Sequence, residues 1–384
     1  MMTVNEILAN EDLRQHEFPV CRDTVYLAHA GVCPLPRRVQ EAVQRYSSLC
    51  LAGDQEEVVP PTFITETRSL AARLVGAQPE EIAFVGPTSL ALSTVAAGIK
   101  FRRTENALIY FDDYPTNVYP WLALNDRGIK VKLLNLRQLG RIRPIDILGQ
   151  VDDNTRLVAI ASCHFVSGWR AEIDVIGKKL HDRNILLCVD GIQTLGAFPT
   201  DVTHVDFLAA DAHKWLLGPC AAGLLYVRKS LQDSLRPLAL GWHNVVCPNY
   251  VAQEEIRLRS DARRYEAGSA NLLGLCGLRA SLELILELGV DAISQELLRK
   301  RKFLIPALKA KGWEVVNGDA PEANCGGILS LTHPDADLPA VHERLLAARI
   351  VTSLRADREG KRYLRVSPHF YNTDAELARF VEAL

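Results

Sequence analysis

Seven short apolar runs, separated by stretches with helical spacing, constrain the fold of this chain more than any other feature. They cover residues 81–85, 107–112, 130–136, 155–163, 185–190, 206–210 and 222–227, and are rich in Val, Ile, Leu and Tyr. Most lack apolar–polar alternation, so both faces of each strand need cover. Segments 88–100, 114–127, 144–151 and 174–184 lie between them with helical periodicity. This alternation predicts an α/β large domain whose seven-stranded, mainly parallel sheet is sandwiched by helices. In such sheets the working residues lie beyond the carboxyl ends of the strands. Past residue 240 the pattern changes. Helical spacing over 272–288, 291–311, 338–348 and 373–384, with strands near 327–331 and 362–367, predicts a smaller α+β C-terminal domain. The expected division is an N-terminal segment, 1–25, packing on the small domain, a large domain over 26–270 and the small domain over 271–384.

Composition removes several classes. The 384 residues carry 44 Lys plus Arg against 46 Asp plus Glu, a net charge of −2. No basic surplus exists to displace phosphate counterions, so no nucleic-acid partner is expected. The longest uncharged stretch, 84–99, is too short to span a bilayer and is broken by Gly86-Pro87, so no membrane partner is expected. The nine cysteines form no C-x-x-C pair, which argues against a zinc ribbon or a dithiol redox site, and no metal is expected. Several sit in apolar runs, as in Leu187-Cys188-Val189, and read as reduced thiols of a cytoplasmic protein. The opening residues show no basic stretch followed by an apolar one, so no signal peptide is expected.

Three elements carry chemistry. The first is the strand ending Cys188-Val189-Asp190, followed by Gly191 and Gln193. A carboxylate ending a buried strand needs a cation or several donors; as a bare motif it also reads as a helix cap. The second is Asp211-Ala212-His213-Lys214-Trp215-Leu216-Leu217-Gly218-Pro219. A lysine in apolar surroundings has a depressed pKa and becomes nucleophilic, although alone it also reads as a side chain snorkelling over an apolar patch. The third is Gly86-Pro87-Thr88-Ser89, which opens a helix directly after a strand. Two hydroxyls at a helix N-terminus make an anion cup, or a plain cap.

Together they describe a carboxylate for a pyridinium nitrogen, a lysine for a Schiff base and a cup for a phosphate, the marks of a pyridoxal 5′-phosphate (PLP) site. On these blocks, and on those from Tyr26-Leu27-Ala28-His29 to Arg365-Val366-Ser367-Pro368-His369, the chain resembles fold-type I PLP enzymes of the class V aminotransferase and cysteine desulfurase-like group. The resemblance spans nearly the whole chain. It implies that Lys214 is the catalytic, Schiff-base lysine, and that Asp190 keeps the cofactor nitrogen protonated. Gln193 would bond the phenolic oxygen, Thr88, Ser89 and His213 the phosphate, and Tyr114 would stack on the ring. Ser269, in Arg264-Tyr265-Glu266-Ala267-Gly268-Ser269, would reach the phosphate of a neighbouring subunit in a homodimer. Arg365 would grip the carboxylate of an amino acid substrate, with Arg355 as a second anion contact. His29, His164 and Trp242-His243 are further candidates for the substrate side. Asp211 stands where many such relatives have a serine, and either points away from the phosphate or holds His213.

The resemblance implies an aminotransferase-like enzyme acting on the α-carbon of a small amino acid. A β-elimination lyase, an epimerase and a catalytically silent binding protein are the alternatives. Relatives that form a persulfide carry a cysteine shortly before the carboxylate-binding arginine. Residues 349–364 contain none, so no persulfide transfer is expected.

Overall fold

The computed structural model describes residues 2–384. A seven-stranded sheet runs in the order Ile82–Ala83, Gly223–Val227, Phe207–Asp211, Leu186–Asp190, Thr155–Ala161, Asn106–Ile109, Lys130–Leu133. The last five are mutually parallel. Gly223–Val227 runs antiparallel to both its neighbours, so the expected mainly parallel sheet carries one reversed strand near an edge.

The continuous apolar runs have a direct cause. Along these strands alternate residues enter two different cores. Val158, Ile160, Leu187, Val189 and Leu208 pack to one side, in the core that also takes in the helix Leu272–Leu288. Leu157, Ala159, Cys188, Phe207 and Ala209 pack to the other, with Ala91, Leu92 and Val95 of the helix Thr88–Gly98. A strand buried on both faces shows no polar alternation. The edge strand Lys130–Leu133 is part-exposed and carries two lysines, a guard against edge pairing.

A four-stranded antiparallel sheet, in the order Ser353–Ala356, Arg362–Val366, Leu329–Thr332, Glu314–Val315, builds the C-terminal part. Its core holds Leu304, Leu345 and Phe380 of the helices Val290–Ala310, Leu338–Ala347 and Asp374–Ala383, together with Val25 and Leu27. The N-terminal residues lean on this part. Val25–Tyr26 pairs in parallel with Ile350–Val351. Buried Arg14 lies 2.9 Å from Glu376, and Phe18 stacks on Tyr371 with ring centres 4.1 Å apart.

The single helix expected over 114–127 is instead three short pieces, Pro115–Asn117, Tyr119–Leu122 and Ala123–Arg127. Pro115 and Pro120 lack the N–H that a continuous helix needs. No helix among the described residues is long and apolar enough to cross a membrane.

Candidate active site

Two neighbouring strands deliver the central residues. Asp190 is the last residue of one and Asp211 the last of the next. Three residues on, Lys214 opens a tight turn in which Leu217 adopts φ +60° and its N–H bonds the Lys214 carbonyl at 3.2 Å. A non-glycine residue there is strained and needs firm packing. Leu216 and Leu217 are buried, and the Trp215 indole donates to Gln193 Oε1 at 2.9 Å. The apolar Trp-Leu-Leu run thus anchors the turn and leaves the lysine facing a cavity.

That cavity, of about 270 Å³, gathers nine of the fourteen candidate site residues singled out in the sequence. Asp190, Gln193 and Lys214 line it, with Thr88, Ser89 and His213. Tyr114, Arg355 and Arg365 complete it.

Its charges are set against their surroundings. Asp190 is buried and its Oδ1 accepts one backbone N–H, from Ile192 at 3.1 Å. Burial pushes its carboxyl well up, and nearby Asp113 adds to this. Lys214 is buried and makes no hydrogen bond or ion pair among the described residues; its Nζ stands 5.4 Å from the centre of the Tyr114 ring. Burial pushes Lys214 down, against the pull of Asp190, and Arg365 and Arg355 lower it further. Only an unprotonated amine attacks a carbonyl. The rate at which the apoprotein takes up PLP therefore rises with pH and levels off well below the value of about 10.4 usual for lysine. Stopped-flow absorbance across a pH series checks this; a rate still climbing at pH 10 contradicts it.

The helix Thr88–Gly98 begins without a side-chain cap, and the N–H groups of Thr88 and Ser89 find no acceptor among the described residues. Ser89 Oγ pairs with Thr116 Oγ1 at 2.8 Å, and Thr88 Oγ1 accepts the Asp211 N–H at 2.9 Å. Asp211 is committed to backbone donors and also sits beside His213. Its carboxylate accepts the N–H groups of Ala212, Ala221 and Ala222 at 2.8 to 3.1 Å, and Oδ2 lies 3.0 Å from His213 Nδ1. Burial opposes its ionisation, but His213 and these donors hold the carboxyl below its usual value. Its charge is thereby met by backbone donors.

Arg365 is buried. Its Nη1 donates to the Phe165 carbonyl at 2.8 Å, while Nε and Nη2 are buried without partners. Burial, then Arg355, pushes it down to about 9, which keeps it a cation at neutral pH. Ser353 pairs with Arg365 across the small sheet, so Arg355, two residues on, rises from the same face. Gly31 explains the space before them. A Cβ there would lie 3.1 Å from the Ala28 carbonyl and 3.7 Å from Nη2 of both arginines. The hairpin carrying Arg355 turns tightly through 357–361, with Gly360 at φ +84°. Arg358 ties it down, with Nε 2.8 Å from Asp112 and the guanidinium 5.0 Å from the Phe111 ring.

His29, His164, Trp242 and His243, read as candidates for the substrate side, do not line this cavity, and neither does Ser269, which was read as reaching the site of a neighbouring subunit. His29 is fully buried behind the cavity wall, bonded to the Ser367 carbonyl at 3.0 Å and the Tyr371 hydroxyl at 2.5 Å, and burial lowers it to about 4. His164 is bonded to Ser167 and to the Asp112 carbonyl and is likewise lowered to about 4 by burial. Both are neutral framework groups whose ring nitrogens are already partnered. Ser269 is exposed and borders a separate cleft with Gly86 and Ala221. Trp242 is part-exposed and His243 bonds the Glu266 carbonyl; neither lines the cavity. The sequence reading misses Asp113, which accepts from the Tyr114 N–H at 2.7 Å and Asn117 at 3.0 Å and so sets the Tyr114 turn. The paired acids Asp112-Asp113 just past a strand were its only signal. It also misses Phe165, whose carbonyl orients Arg365.

PLP fits these demands. A buried carboxylate without a cation suits a pyridinium N–H, and a free amine suits an aldehyde. Two open N–H groups at a helix end suit a phosphate. Gln193 has one amide hydrogen committed to the Ala30 carbonyl at 3.1 Å and the other available to a ring oxygen.

Comparison with known proteins agrees. The pattern of the family "Aminotransferase class-V" matches residues 25–380. A probable cysteine desulfurase of Methanothermobacter thermautotrophicus is 29% identical, over 98% of each chain. An uncharacterised aminotransferase of Bacillus subtilis is 28% identical, over 96% of this chain and 95% of the relative. The solved apo structure of a Thermococcus onnurineus cysteine desulfurase has a similar fold, with a TM-score of 0.88 at 24% identity, covering 97% of this chain and 96% of that one. The arrangement of Asp190, Lys214 and Arg365 around one cavity and the family match lead to one conclusion: the chain belongs to the class-V aminotransferase family of PLP-dependent enzymes.

Proposed function

We propose that this chain acts at the α-carbon of an amino acid and transfers its amino group to a keto-acid acceptor. One observation carries the reading: Lys214 and Asp190 share a cavity with two buried guanidinium donors of Arg365 that have no partner. Bound there, PLP supplies an electron sink for the bond broken at Cα. Arg365 orients the substrate through its carboxylate, with the bidentate fork that guanidinium provides. Lys214, whose ammonium form burial disfavours, would take the Cα proton on Nζ as general base. Asp190, whose carboxyl burial pushes up, would be held as an anion by the pyridinium N–H of the bound cofactor. His213, with Nδ1 3.0 Å from Asp211, would serve the phosphate together with Thr88 and Ser89.

A homodimer is part of the proposal. Exposed Ser269 and the exposed apolar side chains Leu238, Leu240 and Trp242 support it.

No cysteine lines the cavity. Cys325 is buried and its thiol bonds the carbonyls of Ala320 and Pro321, while burial pushes Cys33 up to about 12. The tight hairpin at 357–361 brings no thiol either. The expected result is a PLP-loaded protein whose visible band shifts with amino acids, and which yields keto acid only when an acceptor is supplied. Keto acid and ammonia without an acceptor overturn transamination in favour of elimination. A persulfide mass on the protein after turnover with cysteine overturns the exclusion of sulfur transfer.

A further inference from the structure

We infer that Arg355 selects substrates whose side chain carries a second anionic group, an α-amino dicarboxylate or its sulfinate equivalent. This rests on the reading of Arg365 as the α-carboxylate anchor and deepens it.

A single carboxylate satisfies Arg365. Its two unpartnered donors, Nε and Nη2, lie on one edge of the guanidinium, and that edge takes one carboxylate side-on. Arg355 is then left over. Its Nη1 donates to the carbonyl of its own neighbour, Leu354, at 2.7 Å, and it forms no ion pair among the described residues. The acids nearby are engaged elsewhere. Asp357 accepts from Lys361 N–H and from the Tyr363 hydroxyl, inside the turn. Asp112 takes Arg358, and Asp190 stands on the cofactor side.

The spacing suits a substrate with two charged ends. Arg355 and Arg365 are diagonal neighbours on one sheet face, a relation that sets their stems about 7–8 Å apart. Both guanidinium groups converge on the space that Gly31 leaves open. Two cations converging without an intervening anion repel each other, and that repulsion contributes to the lowered Arg365. A monocarboxylate leaves one of them uncompensated; a dicarboxylate compensates both.

The test compares acid and amide pairs of matched shape, aspartate with asparagine and glutamate with glutamine, on the PLP-loaded protein. An acid preference in kcat/KM is expected, and Arg355→Gln is expected to reduce that preference by about 10- to 100-fold, with Arg355→Lys retaining part of it. A second readout needs no turnover: titration calorimetry with succinate and with butyrate. Succinate is expected to bind more tightly, and Arg355→Gln to remove the difference. Equal handling of acid and amide by the wild type overturns the inference, as does an equal loss on both in correctly folded Arg355→Gln. The underlying reading fails differently, with no amino acid shifting the cofactor band at all.

Discussion

Replacing Arg365 with methionine is expected to abolish useful turnover without weakening the fold. The catalytic loss follows from two charge-assisted hydrogen bonds. At about 1.5–3 kcal/mol each, their removal lowers kcat/KM by about 10²- to 10⁴-fold. The effect on stability has the opposite sign. In the substrate-free protein Arg365 is a buried cation with one bond, to the Phe165 carbonyl, and two orphan donors. Losing that bond costs about 1.5–3 kcal/mol, whereas a buried, uncompensated charge costs several. The melting temperature of Arg365→Met therefore rises or holds, as calorimetry can check. A fall of several degrees together with lost activity identifies Arg365 as a structural residue instead.

The second large effect concerns Lys214. Lys214→Ala is expected to lose turnover by at least the about 10²- to 10⁴-fold that a positioned general base contributes. It also loses the covalent hold on PLP, so the visible band dialyses away from the variant and stays with the wild type. Asp190, Gln193 and the helix end at Thr88 and Ser89 remain, so the variant still binds free cofactor weakly. Wild-type turnover by Lys214→Ala removes the catalytic assignment. Loss of activity with a band that withstands dialysis shows that another amine holds the cofactor.

Much of the large sheet was legible because double-sided burial leaves a plain trace, an unbroken apolar run. Asp190 and Lys214 were legible for a related reason: a charge beside such a run stands out. Other features leave no such trace. His29 and His164 follow strands much as site residues do, but backbone carbonyls satisfy them, and a sequence does not display those partners. The reversed strand Gly223–Val227 has the same apolar pattern as its parallel neighbours, because burial does not record direction. No element is assigned between 31 and 80 from the sequence, yet the helices Arg37–Leu49 and Phe63–Val75 lie there. The second covers the first core with Ala71, Ala72, Leu74 and Val75. The diagonal placement of Arg355 beside Arg365 depends on strand register, which the nine intervening residues do not reveal.

The Arg358–Asp112 contact has a mechanical consequence. Arg355 and Arg365 ride on the small sheet, whereas Lys214 and Asp190 belong to the large one. On the proposed function, the groups that hold the substrate and the groups that act on it stand on different sheets, so the substrate would span the two. The tie between Arg358 and Asp112 fastens the same two parts at the rim, outside the substrate. Removing Arg358 is therefore expected to loosen only the hairpin that carries Arg355, and for so exposed a pair by no more than about 1 kcal/mol.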